Sequence, residues 1–226
     1  MSRSTTPGTA VRNVAVALAV AGGAAVAASG SYLAFGRRRC LTWGAAEEDV
    51  TRVMPGDELL DHPDLVSTRA VRIAASPADV WPWLMQMGSG KGGVYTYDWI
   101  ENLLGLDMHS VDVVLPQFQN RKVGDIEALG TKGPRLRVEI LEPQAALVLR
   151  SDDGNWVWAF GLYPDQVGTV LVSRNRIISP SASAPMRALT TLIMEPGSLI
   201  MERKMLLGIK QRAETLAGSR TSTVLP

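Results

Sequence analysis

Hydrophobic and polar residues alternate along much of the second half of the chain, which is the pattern of strands with one buried face. In RLRVEIL at residues 135–141, Leu136, Val138 and Ile140 alternate with charged residues. Turn-forming sequences such as DDGN at 152–155 join consecutive runs, which predicts an antiparallel, meandering sheet. Six strands are predicted, at residues 68–74, 122–129, 135–141, 146–150, 156–162 and 168–178.

Three segments follow the helical period instead. The first two helices are predicted at residues 77–87, after Ser76 as N-cap, and at residues 97–104. The longest runs from Pro196 to a stop at Gly218 and carries one apolar stripe, in which Glu202 and Arg212 are exceptions that project onto the apolar side. The stripe consists of Met201, Met205, Ile209, Ala213 and Leu216.

The N-terminal region has the composition of a membrane anchor. Residues 13–36 form 24 positions without a formal charge, and three arginines follow at 37–39. As a helix this run is about 36 Å long, enough to cross a bilayer core of about 30 Å. The arginine triplet favours a single-pass protein with a cytoplasmic body. The alternative is a cleaved signal peptide with a small-residue site at 25–27.

This anchor divides the chain into five parts. A tail at residues 1–12 precedes the span at 13–36, and a connector at 37–66 follows it. The connector leads to the folded domain at 67–218 and a tail at 219–226.

Charge and reactive residues exclude several classes of function. Residues 1–39 hold five arginines and no acidic residue, while the rest carries 18 basic and 22 acidic residues. A mildly acidic body without a basic stripe argues against nucleic acid as a partner. The single Cys40 excludes an internal disulfide, and two histidines do not support a multi-histidine metal site. No metal or cofactor is predicted, and the oligomeric state is not indicated.

The segment at residues 80–105 is the most aromatic part of the chain, with three Trp, two Tyr and five Gly. Such a segment can form the wall of an apolar ligand site or fill a core, and both interpretations stay open. Its GSGKGG run at 88–93 matches G-x-G-x-x-G, but a helix precedes it where a dinucleotide site needs a strand. The run is therefore interpreted as a mobile lid or as a tight turn.

Several short sequences resemble the START-like, or helix-grip, superfamily (SRPBCC), which includes lipid-transfer domains, plant allergen-like proteins and polyketide cyclases. The chain is most similar to membrane-anchored actinobacterial members. The resemblance covers residues 42–214 and implies an α+β fold in which a curved antiparallel sheet grips the last helix over an apolar cavity. The matching sequences are WGA (43–45), PGD (55–57), TRAV (68–71), VWPWL (80–84), QMG (86–88), GG (92–93), Tyr95, YD (97–98), ENL (101–103), VGD (123–125), ML (205–206) and GIK (208–210).

On this basis we expect the domain to bind a hydrophobic small molecule or lipid close to a membrane. Polar contacts at the mouth of the cavity are expected from Tyr97, Glu101 and Asn102. Arg174 and Arg176 either bind an anionic head group or lie on an exposed face of the sheet. The predicted lining residues are Trp83, Met87, Tyr95, Trp99, Trp156, Trp158, Phe160, Met201 and Met205.

Two other functions remain open. The first is a cyclase- or dehydratase-type enzyme acting on a polyketide-like substrate, with Asp98, Glu101 or His109 as the acid or base. Catalytic residues are not shared across the superfamily, so the resemblance implies no reaction. The second is a structural membrane protein whose core is filled by its own side chains. Of the three functions, we expect binding without catalysis.

Overall fold

The computed structural model describes residues 23–24, 27–103, 105–130, 133–180 and 182–223. The chain forms two units, Met1–Cys40 and Leu41–Pro226. In the first unit, residues 27–31 are helical and a π-helical stretch, Tyr32–Gly36, leads into α1 (Arg37–Leu41). Among the described residues, no helix is long and apolar enough to span a membrane. Half of the predicted span at 13–36 lies outside these residues, so the anchor stays a prediction.

The second unit is built on one six-stranded sheet in which every neighbouring pair is antiparallel. The spatial order β1-β6-β5-β4-β3-β2 shows that β2 to β6 form a meander and that β1 pairs with the last strand. This confirms the predicted sheet. The strands are β1 (Leu65–Ile73), β2 (Ile126–Ala128), β3 (Arg135–Glu142), β4 (Ala146–Ser151), β5 (Trp156–Asp165) and β6 (Gly168–Ile177).

Helices precede and follow the meander. After α2 (Glu47–Thr51), the helices α3 (Pro77–Met85) and α4 (Asp98–Leu103) lie between β1 and β2. The C-terminal helical region comprises α5 (Ala184–Leu189), a π-helical stretch (Thr190–Met194) and α6 (Glu195–Thr223). The sheet curves around α6, so the α+β helix-grip fold is as expected.

The C-terminal helical region is longer than the sequence pattern predicts. Pro196 does not begin it, because the π-helical stretch lies directly before this residue, where proline removes an ordinary helical hydrogen bond. Gly218 does not end it either, since its φ is not positive and the helix continues to Thr223. Most of the predicted C-terminal tail is therefore helical.

The main core lies between the inner face of the sheet, α3 and α6. The predicted apolar stripe faces this core: Met205, Ile209 and Ala213 are buried. Gly208 allows the close approach of α6, because a Cβ there would lie 2.8 Å from the carbonyl oxygen of Tyr95. The middle of α6 therefore packs closely against the sheet and against the segment that contains Tyr95.

The segment before β1 packs on the outer face of the sheet. Met54 and Leu60 cover Val148, Val157 and Val172 from β4, β5 and β6 in a second, smaller core. This cover explains why β5 and β6 are buried on both faces.

Arg174 and Arg176 hold this segment in place. Arg174 is buried and donates to Asp57 Oδ2 at 2.7 Å and to the carbonyl oxygens of residues 49, 50 and 52. Arg176 donates to the carbonyl oxygen of Leu60. Neither expected role is correct, because both guanidinium groups bind the chain itself rather than a head group or open solvent.

Candidate functional site

A cavity of about 260 Å³ lies between the sheet and the first turns of α6. Its surface is mostly apolar, and three parts of the fold enclose it. The sheet contributes side chains from β1, β5 and β6, and α6 contributes one face. The remaining lining residues, Val94, Thr96, Glu101, Leu106, Met108 and Leu129, lie along a third side, and the cavity is open to the surface. The lining residues are Ser67, Arg69, Val94, Thr96, Glu101, Leu106, Met108, Leu129, Trp156, Trp158, Asn175, Ile177, Ser198, Met201, Glu202 and Met205.

A buried ion pair forms the main polar part of the cavity wall. The guanidinium of Arg69 on β1 contacts the carboxylate of Glu202 on α6, and both side chains are buried. Arg69 also donates to Ser198 Oγ at 3.0 Å. Removing two charges from water is costly, so a buried pair needs close contact and additional hydrogen bonds. Here these contacts also join α6 to β1.

Strands β5 and β6 complete the hydrogen bonding of Glu202. Its Oε1 accepts from Ser173 Oγ at 2.5 Å and from Asn175 Nδ2 at 3.2 Å. The indole N–H of Trp158 donates to Ser173 Oγ at 3.0 Å, and that of Trp156 donates to Asn175 Oδ1 at 2.8 Å. The two indoles stack with their centroids 5.5 Å apart. One polar network therefore orients both the ion pair and the aromatic wall.

Burial and hydrogen bonding act in opposite directions on Glu202. Burial raises the pKa of this carboxyl, and the charge of Arg69 and the hydrogen bonds from Ser173 and Asn175 offset only part of that rise. The carboxylate is therefore tolerated in the cavity wall because Arg69 faces it.

Glu101 is a second acidic group on the cavity wall, and its surroundings differ. Its side chain is 5% exposed, and its Oε2 has no hydrogen-bond partner. Burial raises the pKa of Glu101; the nearby Thr96 hydroxyl lowers it, and the negative charge of Asp98 raises it. Thr96 Oγ1 is itself buried without a hydrogen bond of good geometry. The cavity thus holds a carboxyl group that lacks a cationic partner among the described residues.

This environment predicts a pH-dependent contribution to stability. Because the pKa of Glu101 is raised on folding, the folded state binds its proton more tightly than the unfolded state. The free energy of unfolding should therefore fall as the pH rises above 4.5, the ordinary value for glutamate. Chemical denaturation across pH 4 to 8 should show a steeper fall in the parent than in Glu101→Gln, because Glu202, whose pKa is also raised, contributes to both curves. The exposed Glu142→Gln serves as control, and parallel curves for the parent and Glu101→Gln would contradict the prediction.

Five of the predicted binding residues line the cavity. Trp156 and Trp158 lie on β5, Met201 and Met205 lie on α6, and Glu101 lies on α4. These residues come from three elements that are distant in sequence, and the helix-grip arrangement brings them together.

Four other predicted residues lie in the packed core instead of the cavity wall. Trp83, Met87, Tyr95 and Phe160 are buried against neighbouring side chains. Tyr95 is held there by its hydroxyl, which donates to the carbonyl oxygen of Trp83 at 2.9 Å, and burial raises the pKa of this tyrosine. The aromatic segment is thus mainly core-forming.

Trp99, predicted to line the cavity, and Tyr97 and Asn102, predicted at its mouth, lie elsewhere. Trp99 is 69% exposed, because it lies on the outer face of α4. The Asn102 side chain binds the backbone N–H and C=O of Met108, at 2.7 and 2.9 Å. Tyr97 lies beside the ammonium group of Lys204, 5.8 Å from its ring centroid. None of the three lines the cavity, although Asn102 supports its wall through Met108.

Asp98 and His109, the other candidate acids or bases, do not line the cavity either. The Asp98 carboxylate accepts from the backbone N–H and the hydroxyl of Ser110, at 2.8 and 2.6 Å. His109 is exposed and contacts Asp107 at 3.2 Å. Their positions support a structural role for Asp98 and none in the cavity for His109.

The glycine run forms a tight turn rather than a lid over the cavity. Gly88 and Gly93 pair as a β-bridge, and Lys91 contacts both carboxylate oxygens of Glu127, at 2.6 and 2.8 Å. A Cβ on Gly93 would lie 2.8 Å from the backbone of Ser110, so this position needs glycine. The run therefore supports Val94 and Thr96, which do line the cavity.

The polar part of the wall contains residues that sequence reasoning missed. Arg69 lies on the same face of β1 as Val71 and Ile73, and Glu202 projects onto the apolar side of α6. A charged residue on an apolar face is the available signal for each. Neither pattern identifies the partner, which is 133 residues away in sequence.

No group of three His, Cys, Asp or Glu side chains in the described ranges has the arrangement of a metal site. No protein-family model matches the chain, and no curated protein sequence matches it.

Several solved structures are similar to the chain. KanY protein (ms6282) is 13% identical, over 66% of this chain and 97% of that chain, with a TM-score of 0.42. The Polyketide_cyc-like protein Cgl2372 from Corynebacterium glutamicum is 17% identical, over 70% and 93%, with a TM-score of 0.32. The Aha1 dimer from Colwellia psychrerythraea is 14% identical, over 66% and 96%, with a TM-score of 0.37.

One of these similar structures is thus a polyketide cyclase-like protein and another is an Aha1 dimer. Similarity at this level says nothing about a ligand or a reaction.

Proposed function

We propose that the domain binds an amphipathic, mainly apolar small molecule or lipid in the cavity between the sheet and α6. The cavity itself is the observation that carries this proposal. Protein interiors are close-packed, and voids much larger than one water molecule are few. A space of about 260 Å³ with a mostly apolar lining therefore suits a ligand better than a filled core.

The polar network gives the ligand an orientation. An apolar molecule gains affinity from burial against Trp156, Trp158 and Met201, at about 25 cal/mol per Å² of apolar surface. Arg69, Ser198 and Glu202 make one part of the wall polar. A ligand with a polar end can therefore bind in one direction, with that end against this part of the wall.

The proposal is tested with N-phenylnaphthylamine, a neutral apolar dye whose fluorescence rises in apolar surroundings. Titration of the full chain in mild detergent should give a saturable increase with one site per chain. The melting temperature should rise with dye concentration, because a ligand that binds the folded state stabilises it. A linear, unsaturable signal without a thermal shift would contradict the proposal.

A catalytic function is the second candidate, and Glu101 is the observation that favours it. Of the three candidate acid–base residues, Glu101 lines the cavity, and burial raises its pKa, as is common for carboxyl groups that transfer a proton. A cyclase- or dehydratase-type reaction would therefore depend on this carboxyl. Incubation with aromatic polyketide substrates, followed by mass spectrometry, should return unchanged molecules if the protein only binds. A product that disappears in Glu101→Gln would favour the enzyme.

We further propose that residues 13–36 hold the domain at a membrane, with the body on the cytoplasmic side. A tether raises the effective concentration of the domain near lipid ligands. Exposed apolar side chains in the C-terminal helical region, among them Leu189, Ile193 and Ile200, are compatible with this location. The full chain should remain in the membrane fraction after carbonate extraction. A mature N-terminus near residue 28 would favour a signal peptide instead.

A further inference from the structure

Two polar groups on the cavity wall lack partners within the chain. Eight buried side-chain polar atoms among the described residues have no hydrogen bond, and two of these, Thr96 Oγ1 and Glu101 Oε2, belong to residues that line the cavity. Buried polar groups are nearly always hydrogen-bonded, so two neighbouring exceptions in one cavity require an explanation. A buried polar group without a hydrogen bond also lowers the stability of the folded state.

The surrounding chain holds these groups in place. Asp98 binds the backbone and hydroxyl of Ser110, and Asn102 binds both backbone groups of Met108, so both ends of α4 are fixed. The residue before Thr96, Tyr95, is anchored by hydrogen bonds from its backbone N–H to Ser110 Oγ at 3.1 Å and from its hydroxyl to the Trp83 carbonyl. The chain therefore positions Thr96 and Glu101 beside each other at the cavity, where the Thr96 hydroxyl acts on the Glu101 carboxyl but neither Thr96 Oγ1 nor Glu101 Oε2 has a hydrogen bond of good geometry.

We propose that Thr96 and Glu101 bind a hydroxyl group of the ligand, so that the ligand is an alcohol with an apolar body. This inference rests on the proposed function, because it concerns the same cavity. A hydroxyl both donates and accepts a hydrogen bond. It can donate to one of the two side chains while accepting from the other, whether Glu101 is protonated or ionised.

Other head groups fit less well. A carboxylate would face two acidic side chains of the cavity, Glu101 and Glu202, of which Arg69 already neutralises one. An ammonium group can donate but not accept, so it matches the ionised form of Glu101 alone. Of the three head groups, the hydroxyl can hydrogen-bond to Glu101 in both its protonated and its ionised form.

The test compares three probes with the same ten-carbon chain: decan-1-ol, decylamine and decanoate. Their affinities for the full chain are measured by displacement of N-phenylnaphthylamine. The parent should bind decan-1-ol most tightly. Glu101→Leu should weaken decan-1-ol binding by about tenfold, as expected for one lost hydrogen bond in a dry site. Thr96→Val should act in the same direction, while Glu101→Gln and Thr96→Ser, which keep a hydrogen-bonding group, should stay within about threefold of the parent.

The melting temperature without probe separates loss of binding from loss of folding. Glu101→Leu removes an unpaired buried carboxyl, so its melting temperature should equal or exceed that of the parent. Lower affinity for decan-1-ol in an equally stable variant would support the inference. Unchanged affinity in both Glu101→Leu and Thr96→Val, or tightest binding of decylamine or decanoate, would overturn the inference and leave the proposed function standing. Failure of the parent to bind any probe or the dye would overturn both.

Discussion

Glu202→Leu is expected to lower the free energy of unfolding by about 3–5 kcal/mol, because it removes the carboxylate that contacts the buried guanidinium of Arg69. The Ser173 hydroxyl and the Asn175 amide lose their acceptor in the same variant. Urea denaturation monitored by circular dichroism measures this change.

A double variant provides the control. Arg69→Met combined with Glu202→Leu removes both charges and fills the same part of the wall with apolar atoms. It should recover most of the lost stability, since replacing a whole buried pair by apolar residues is often neutral. If the free energy of unfolding of Glu202→Leu alone lies within about 1 kcal/mol of the parent's, the ion pair does not hold α6 to β1.

Met201→Trp should close the cavity and weaken dye binding by at least about tenfold, which corresponds to about 1.4 kcal/mol. Met201 is partly buried and lines the cavity, so the larger ring has space that a ligand would otherwise occupy. The loss of stability should therefore stay below about 1 kcal/mol. Dye titration and thermal unfolding of the same sample measure the two effects.

Two neighbouring positions on α6 serve as controls. Ile200 is 56% exposed, so Ile200→Trp should change neither binding nor stability appreciably. Met205 also lines the cavity but belongs to the packed core, and Met205→Trp should cost about 1–3 kcal/mol through overpacking. If Met201→Trp binds the dye as well as the parent, the dye does not occupy this cavity.

The sheet could be predicted from the sequence because its signal is local. In β3 the apolar positions Leu136 and Val138 alternate with arginines, and the observed strand, Arg135–Glu142, agrees to within one residue with the prediction. Short turns between strands then leave an antiparallel meander as the natural topology. The predicted ends of the last helix are less accurate. The π-helical stretch before Pro196 and the helical conformation of Gly218 depend on the whole C-terminal region.

The site was harder to predict because it depends on contacts between distant segments. Trp158 and Met201 line the cavity as predicted by pattern and resemblance, whereas Phe160, two residues after Trp158 on the same strand, lies in the packed core. The two residues have the same sequence signal, and the path of α6 over the sheet decides which one faces the empty space. The pairing of Arg69 with Glu202 likewise exists only after α6 has packed on β1.

The most direct test of the cavity as a binding site is a crystal structure of the domain grown with decan-1-ol. The account predicts density for the probe between Trp158 and Met201, with the hydroxyl oxygen within hydrogen-bonding distance of Thr96 Oγ1 and Glu101 Oε2. A cavity collapsed by rotation of the Met201 and Met205 side chains, with the probe absent or bound elsewhere, would contradict it.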